Sequence, residues 1–320
     1  MGVVLAVWLT AYAVFRIAPV QQLHDSKYTM LLAENLVRHH DLDLARYGLP
    51  SDDYRLVTVD AHRYYWFPAG SAVLSVPFVA VMKLRGLTTI RPDGSYDMAG
   101  ELAMDARLAA ALMAAFAVVV YAIARLLLPL AHSLGLAVAV ALGTQVFSTA
   151  SRSVWSDTWG ILLVGAAIFV LVRSCARGER HKGALLAVFL ATSCVVRPTN
   201  AVAVAAVGFY LFRSDLRAFA RFAAVVAAIA ALFTAQARTQ FHALLPPYFA
   251  AGRLTFPTPL AAVAGNLISP SRGLLVFVPL VLLLATALVR FRRAVRQRGL
   301  LSVALFVVVA HFIVLAGYWD

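Results

Sequence analysis

The sequence predicts an all-α fold in which transmembrane helices form a polytopic bundle and further helices lie at the membrane surface. Two observations are compositional: 62% of the 320 residues are hydrophobic and only 13% are charged, whereas soluble domains average about 45–50% and about 25%. A third is the mean hydropathy of +0.81, which reflects apolar runs along the whole chain. We therefore expect a single transmembrane domain over residues 1–320.

The apolar runs, taken in order, predict the membrane spans. A span needs about 20 apolar residues. The predicted spans are 2–20, 106–128, 133–150, 158–174, 183–196, 201–213, 219–237, 273–290 and 300–318. The short runs on either side of "VVRPTN" predict a tight hairpin. The run 68–84 is ambiguous, because it is short and contains two prolines. It crosses the membrane, lies flat, or re-enters from the outer face.

The basic residues decide between these alternatives. Three clusters rich in Lys and Arg, at 173–182, 213–221 and 290–298, separate apolar runs, and such clusters mark cytoplasmic loops. All three fall inside only if 68–84 does not cross. Residues 21–105 then form one large extracytoplasmic loop with interfacial helices, and the net charge of +13 needs no nucleic-acid partner. Further outer loops are expected at 151–157, 197–200 and 238–272.

A polar segment, "QQLHDSKYTMLLAENLVRHHDLDL" at 21–44, follows the first span. Its apolar residues recur at helical spacing, which predicts a short helix in the membrane interface. Asp25 or Ser26 would be the N-cap of that helix. Asp25 is also a candidate catalytic carboxylate, because group transfer needs a base or an electrostatic clamp to activate an acceptor hydroxyl.

Cations on the outer side are candidates for contacts with a departing phosphate. Arg197 is the strongest, because it stands in "RPTN" at the tip of a tight apolar hairpin, where an idle charge is costly. Each cation has an alternative role as an anchor at the lipid headgroups. The full set is Lys27, Arg63, Arg152, Arg197 and Arg272.

Other outer-loop residues have two interpretations each. The aromatic residues of "HRYYWFPAG" at 62–70 form an interfacial belt, or they stack on a sugar or an isoprenoid. Asp157, in "SRSVWSD", caps the next span or supplies a second acid near Asp25. Ser269 or Ser271 would cap the span that starts at residue 273.

The sequence gives no strong metal site. His24, His39 and His40 lie close together without a matching pattern of distant acids. The stretches "DLDL" and "SDDY" lack the spacing of a calcium loop and are predicted to be solvated turns. One divalent cation, Mg²⁺ or Mn²⁺, on Asp25 stays open. The sequence has no Walker loop and no HExxH motif, so ATP-driven and zinc-protease functions have no support.

The stretches "HDSKYTMLLAENL", "WFPAGSAVLSVPF" and "LISPSRGLLVFVPLVLLL" resemble the GT-C glycosyltransferases, in particular the protein O-mannosyltransferase and aminoarabinose-transferase type. The resemblance covers the whole chain as topology. It departs from the family at Ser26, where a second acid often stands, and at Trp66-Phe67, where several members carry a Lys or His before the prolines. Relatives usually continue beyond the last span, so we expect a chain truncated after residue 320.

The resemblance implies a GT-C-like fold and a membrane glycosyltransferase that moves a sugar from a polyprenyl-phosphate donor to a lipid, glycan or protein acceptor. It implies an active face on the outer side of the cytoplasmic (inner) membrane and maps the acceptor-activating acid onto Asp25. The assigned residues are Asp25 and Asp157 for catalysis, Lys27, Arg152, Arg197 and Arg272 for the donor phosphate, and Tyr28, Tyr65 and Trp66 for substrate contact.

Two other classes of function stay open. A transporter or flippase for a lipid-linked or anionic solute would carry polar residues along the middle of the membrane, where this sequence is almost free of charge. A non-catalytic membrane scaffold would tolerate the loss of Asp25.

Overall fold

The computed structural model describes residues 2–249, 255–256, 258–271, 273–291 and 297–317, most of which are helical. The helices are α1 (Gly2–Ile17), α2 (Thr29–His39), α3 (Gly70–Leu84), α4 (Met98–Arg125), α5 (Leu130–Leu142), α6 (Ser156–Arg177), α7 (Gly183–Val196), α8 (Ala201–Ser214), α9 (Leu216–Phe241), α10 (Pro259–Ile268), α11 (Leu274–Phe277), α12 (Leu280–Phe291) and α13 (Arg298–Ala316). An antiparallel hairpin, β1 (Leu56–Val59) and β2 (His62–Tyr65), lies between α2 and α3. The fold is therefore mostly helical rather than strictly all-α.

Several predicted spans agree closely with the observed helices. Among the described residues, α4, α6, α9 and α13 are long and apolar enough to cross a membrane. The predicted spans 158–174 and 300–318 correspond to α6 and α13. The shorter helices α7 and α8 meet at the 3₁₀ turn Pro198–Asn200, which confirms the predicted tight hairpin. The bundle is thus suited to a membrane by length and composition.

The helix predicted to begin at residue 106 begins much earlier, at Met98. The Asp97 carboxylate accepts a hydrogen bond from the Ala99 backbone N–H at 3.0 Å and so caps α4. Part of the predicted outer loop therefore belongs to this helix, including Glu101, which becomes important below.

Two other predicted spans are interrupted. The run 133–150 breaks after Leu142, and Val146–Ala150 forms a separate wide helical turn. The run 273–290 is divided into α11 and α12, because Pro279 cannot continue a helix. The Ser269 and Ser271 hydroxyls bond to each other at 2.9 Å, and α11 begins after Gly273 without a side-chain cap, so the predicted serine cap is wrong.

Small residues set the distances between helices in the bundle. Alanines of α4 such as Ala109 are buried where α1, α5 and α6 pack against that helix. A Cβ on Gly165 of α6 would lie 2.9 Å from the Phe116 ring of α4. In a second core that joins α6 through α9 and α13, a Cβ on Gly183 would lie 2.0 Å from the Ala218 carbonyl oxygen. These approaches are too close for larger side chains.

The predicted interfacial helix is α2, but neither Asp25 nor Ser26 caps it. Tyr28 holds the N-cap position with a left-handed φ of 76°. The buried Glu101 carboxylate on α4 accepts hydrogen bonds from three backbone N–H groups at this end of α2, at 2.9, 3.0 and 3.4 Å. These N–H groups have no partner inside the helix. Since Glu101 does the capping, the Asp25 carboxylate is left for other contacts.

The ambiguous run 68–84 forms α3, which packs beside α2. Its 15 residues reach about 22 Å at about 1.5 Å per residue, short of a hydrocarbon layer of about 30 Å. The Trp159 indole on α6 donates to the Ser75 hydroxyl in the middle of α3 at 3.1 Å. Because α7 and α8 are shorter still, with 14 residues each, the flat or re-entrant position of α3 stays a prediction.

The two acidic turns predicted to be solvated are built into the fold. The Asp43 carboxylate accepts backbone hydrogen bonds from Ala45 and Arg63, both at 2.9 Å. The Asp53 carboxylate accepts from the Tyr28 hydroxyl at 2.7 Å. Both acids therefore fix the loop that carries the hairpin, and the prediction of solvated turns is wrong for them.

The hairpin links this loop to the far end of the chain. Its turn residues Asp60 and Ala61 both have positive φ, at 49° and 67°, as the twist of a tight hairpin turn requires. The Asp60 carboxylate meets the His242 ring at the end of α9 at 2.6 Å. The pairing register from Leu56 opposite Tyr65 leaves Tyr65 buried beside α2.

Candidate functional site

A cavity of about 250 Å³ lies where the segments preceding α2, α3 and α6 meet the turn after α7. Of the assigned residues, the cavity brings together Asp25, Tyr65, Asp157 and Arg197. Tyr248, from the outer loop predicted at 238–272, also lines it. Four separate loops predicted from sequence thus contribute to one space.

Asp25 is held at the cavity through both its side chain and its backbone. The Tyr54 hydroxyl donates to Asp25 Oδ1 at 2.8 Å. The Tyr65 hydroxyl donates to the Asp25 backbone carbonyl. Next to Asp25, the Ser26 hydroxyl accepts from Ser153 at 2.6 Å, which joins this segment to the loop before α6. Asp25 is half-buried. Three different parts of the chain therefore hold the Asp25–Ser26 segment: Tyr54, Tyr65 and Ser153.

A charged network that the sequence analysis missed lies behind Asp25. Arg55 Nη1 donates to Asp53 Oδ1 at 2.9 Å, and Arg55 Nε donates to the His24 carbonyl oxygen at 2.6 Å. Burial by itself would raise the pKa of Asp53, but hydrogen bonds from Tyr28 and Arg55 hold it below its usual value. Burial raises the pKa of Tyr28, and the neighbouring Asp53 carboxylate adds to this shift. Tyr28 is therefore a hydrogen-bond donor in this network.

Asp157 and Arg197, which also line the cavity, form an ion pair. Arg197 Nη1 lies 2.5 Å from Asp157 Oδ2 and 3.3 Å from the Ser156 hydroxyl, and Nε donates to Thr199 Oγ1 at 3.2 Å. Trp155, not Asp157, holds the N-cap position of α6, and no side chain caps this end. The cap interpretation of Asp157 is therefore wrong, and its partner is Arg197.

The same ion pair also lines a second, mostly apolar cavity of about 310 Å³. His311 of α13 lines this cavity, and its Nε2 lies 3.1 Å from Thr199 Oγ1. The cavity shares lining residues with a larger apolar groove of about 1010 Å³ that reaches Cys175 near the end of α6. The shared residues are Val164, Ile168, Ala203 and Val307. An apolar path thus runs along the bundle and ends at a guanidinium group.

Two assigned residues belong to the network rather than to the cavity. The Lys27 ammonium lies 3.6 Å from Asp53 Oδ2 and 4.7 Å from the centre of the Tyr28 ring. Tyr28 has no exposed surface and bonds to Asp53. Neither residue lines the cavity, and Asp53 engages both groups, so the assignments of Lys27 to a phosphate and of Tyr28 to a substrate gain no support from the cavity.

Two further cations and one aromatic residue lie away from the cavity. Arg152 is only 2% exposed, and its guanidinium donates to the carbonyl oxygens of Phe147 at 2.7 Å and Phe15 at 3.2 Å. The Arg63 guanidinium likewise binds backbone carbonyls, those of residues 49 and 50. Trp66 is not among the described residues that line the cavity. Arg272 lies outside the described residues.

The residues at the cavity fit a bound divalent cation poorly. Mg²⁺ and Mn²⁺ prefer several oxygen ligands, but Arg197 already engages Asp157 and Tyr54 already engages Asp25. Within the described ranges, no group of three or more His, Cys, Asp or Glu residues is placed to hold a metal ion. The open possibility of a cation on Asp25 gains no support from this donor set.

Comparisons with known proteins give no match. No family model matches the chain, no curated protein matches it significantly, and neither does any solved structure. The fold and composition define a class only: a mostly helical protein whose longest helices are suited to a membrane. Because fold alone does not fix function, function is argued from the site.

Proposed function

We propose that the protein is a membrane glycosyltransferase that moves a sugar from a polyprenyl-phosphate donor to an acceptor at the outer face of the cytoplasmic membrane. One observation carries the proposal. Asp25 and the Asp157–Arg197 ion pair line one cavity, and the same ion pair lines a second, mostly apolar cavity that shares four lining residues with the apolar groove. An acid, a cation and a path for an apolar chain meet within one part of the molecule.

The groove supports a donor carried on a lipid. Its lining is mostly aliphatic and includes Leu171, Leu190, Val207 and Val303, which suits an isoprenoid chain. A phosphate at the head of that chain would reach Arg197, whose planar guanidinium matches phosphate oxygens. His311 would lie beside it as a second donor. The donor would thus place its reacting carbon at the border between the two cavities.

The chemistry assigns one role to each group. Asp25 accepts the proton of the acceptor hydroxyl, while the acceptor oxygen bonds to the anomeric carbon of the sugar. The bond from that carbon to the phosphate oxygen breaks, and its electron pair leaves on the polyprenyl phosphate. Arg197 stabilises the charge that develops there. Attack opposite the leaving group inverts the anomeric carbon, and Asp157 holds Arg197 in place.

The experiment for this proposal compares Asp25→Asn and Asp25→Ala with the unaltered protein. Membranes receive undecaprenyl phosphate carrying tritiated glucose, mannose, N-acetylglucosamine or arabinose, and transfer to endogenous acceptor is measured. Loss of the base lowers the rate by roughly 10²- to 10⁴-fold. Asp52→Asn is the matched control, because Asp52 is exposed in the same loop. Unchanged transfer in both Asp25 variants would remove Asp25 from the mechanism.

Orientation is tested separately. With both native cysteines replaced by serine, Asp93→Cys reacts with a membrane-impermeant maleimide from outside, and Arg180→Cys does not. Both positions are exposed. Labelling of position 93 only from the cytoplasmic side would overturn the predicted topology, in which residues 21–105 form one extracytoplasmic loop.

A flippase for a lipid-linked solute is the alternative, and it is favoured by the adjoining apolar cavity and groove, which together extend from Arg197 to Cys175. It predicts movement of a fluorescent polyprenyl phosphate between leaflets of proteoliposomes without any transfer of sugar. Such movement, unaffected by Asp25→Asn, would support this alternative.

A further inference from the structure

Tyr54 contacts the central carboxylate and has no part in the chemistry assigned so far. Its hydroxyl donates to Asp25 Oδ1 at 2.8 Å. The ring is 57% exposed, yet it is fixed on two sides. The Arg55 guanidinium lies 4.3 Å from the ring centre, and the Phe67 ring meets it edge-on at 6.3 Å. A surface tyrosine with these contacts has a defined orientation.

Arg55 is itself held by hydrogen bonds, and one of its partners is the residue before Asp25. Its guanidinium binds Asp53 at 2.9 Å and the backbone carbonyl of His24 at 2.6 Å. His24 directly precedes Asp25 in the chain. The loop at 53–55 therefore holds the backbone before Asp25 through Arg55 and the carboxylate through Tyr54.

We propose that Tyr54 is a positioning residue for Asp25, holding Oδ1 so that Oδ2 receives the proton of the acceptor hydroxyl. This inference rests on the proposed function. In the transfer step, the acceptor O–H bond breaks and its proton goes to Oδ2. The acceptor oxygen bonds to the anomeric carbon, and the electron pair of the broken carbon–oxygen bond leaves on the polyprenyl phosphate. Tyr54 keeps its own proton throughout.

The electrostatics of Tyr54 agree with a donor that is never a base. Burial raises its pKa above the usual value, and the hydrogen bond to Asp25 adds to the shift. The phenol therefore stays protonated at neutral pH. Since a hydrogen bond to the charged form of an acid favours that form, loss of the Tyr54 hydroxyl moves the acidic limb of the pH–rate profile upwards.

Tyr54→Phe tests the inference, because it keeps the ring and removes only the hydroxyl. With the tritiated undecaprenyl phosphosugars in detergent-permeabilised membranes, we expect the rate at saturating donor to fall roughly tenfold. The donor KM changes by less than about twofold. The acidic limb moves up by roughly half a unit to one pH unit. Tyr64→Phe, the same substitution on β2 outside the Asp25 cavity, keeps the original rate and limb.

The outcomes separate this inference from the proposed function. Suppose that Asp25→Asn abolishes transfer while Tyr54→Phe keeps both the rate and the acidic limb; then the positioning role is overturned and the proposed function stands. A slower Tyr54→Phe with an unmoved limb and a lower Tm shows a merely structural role and also overturns it. Full activity of Asp25→Asn removes the proposed function and the inference together.

Discussion

The segment between α1 and α4 and the helical bundle keep their shape by different means. In the segment, buried polar groups are held by hydrogen bonds: Glu34 has no exposed surface, and its carboxylate accepts from Thr88 at 2.8 Å and from the Thr89 backbone N–H at 2.7 Å. In the bundle, small and aliphatic residues pack against each other. Asp25 belongs to the first region and Arg197 to the second, so the candidate site forms where two kinds of stabilisation meet.

The largest effect is expected from Glu101→Gln, which should damage the segment and spare the bundle. The amide has one acceptor oxygen fewer, so the Tyr28 N–H and the Tyr96 hydroxyl, which share Oε2, lose hydrogen bonds to a charged group worth about 1.5–3 kcal/mol each. Thermal unfolding in detergent and amide exchange of α2 would measure this. Glu179→Gln, at an exposed position between α6 and α7, changes stability by less than about 0.5 kcal/mol. Equal loosening of α2 and α7 would contradict the separation of the two regions.

Arg197→Gln tests the border between the regions. We expect transfer to fall by about 10²- to 10³-fold, since one donor to the developing charge is lost. Arg238→Gln is the control, because Arg238 is an exposed arginine near the end of α9. A similar loss in both variants would mean that general surface charge, and not the guanidinium at the cavity, supports transfer.

Gly183→Ala tests the packing of the bundle. The added methyl group meets the Ala218 carbonyl oxygen at 2.0 Å, and overpacking of this kind costs about 1–3 kcal/mol. Gly135→Ala lies in open space on α5, and the same substitution there should raise stability by about 0.5–1 kcal/mol. Thermal unfolding measures both. A neutral Gly183→Ala would show that α7 and α9 separate easily.

The smallest effect is expected from lowering the pH, which should destabilise only the segment between α1 and α4. Burial alone would raise the pKa of Glu34, but hydrogen bonds from Thr89, Thr88 and Arg38 hold it below its usual value. A lowered folded-state pKa gives stability that is present above the unfolded value of about 4.3 and lost as pH falls through the folded value. Below about pH 4, amide exchange of α2, corrected for its intrinsic rate, should become faster. The increase should be on the order of tenfold for each unit by which the folded-state pKa of Glu34 lies below its unfolded value. Glu34→Gln should flatten this dependence, and exchange in α7 should show none of it.

The sequence predicted the bundle better than its interruptions. Apolar runs bounded by basic clusters located α6, α7 and α8, because length and charge are local signals. The break after Leu142 and the early start at Met98 depend on single residues inside or before a run. The cap of α2 was not predictable, because Glu101 is distant in sequence from the N–H groups it binds. The hairpin was missed because short strands in a polar loop leave a weak pattern.

The site was predicted in part for the same reason. Each of three residues, Asp25, Asp157 and Arg197, lies at the end of an apolar run. The predicted topology therefore placed all three on the outer side of the membrane. Tyr54 and Arg55 follow "SDD", which resembles an ordinary turn, and their role depends on contacts with a distant segment. His311 is a single histidine within an apolar run and gave no local signal. The burial of Arg152 was likewise invisible, since its partners are backbone carbonyls.

The Asp157–Arg197 pair faces two spaces at once, the polar cavity and the second, mostly apolar cavity. A lipid-soluble molecule in the apolar cavity and a polar molecule in the polar cavity can therefore contact the same guanidinium. In the proposed transferase, substitutions in the lining of one space should therefore change the affinity for one substrate more than the affinity for the other.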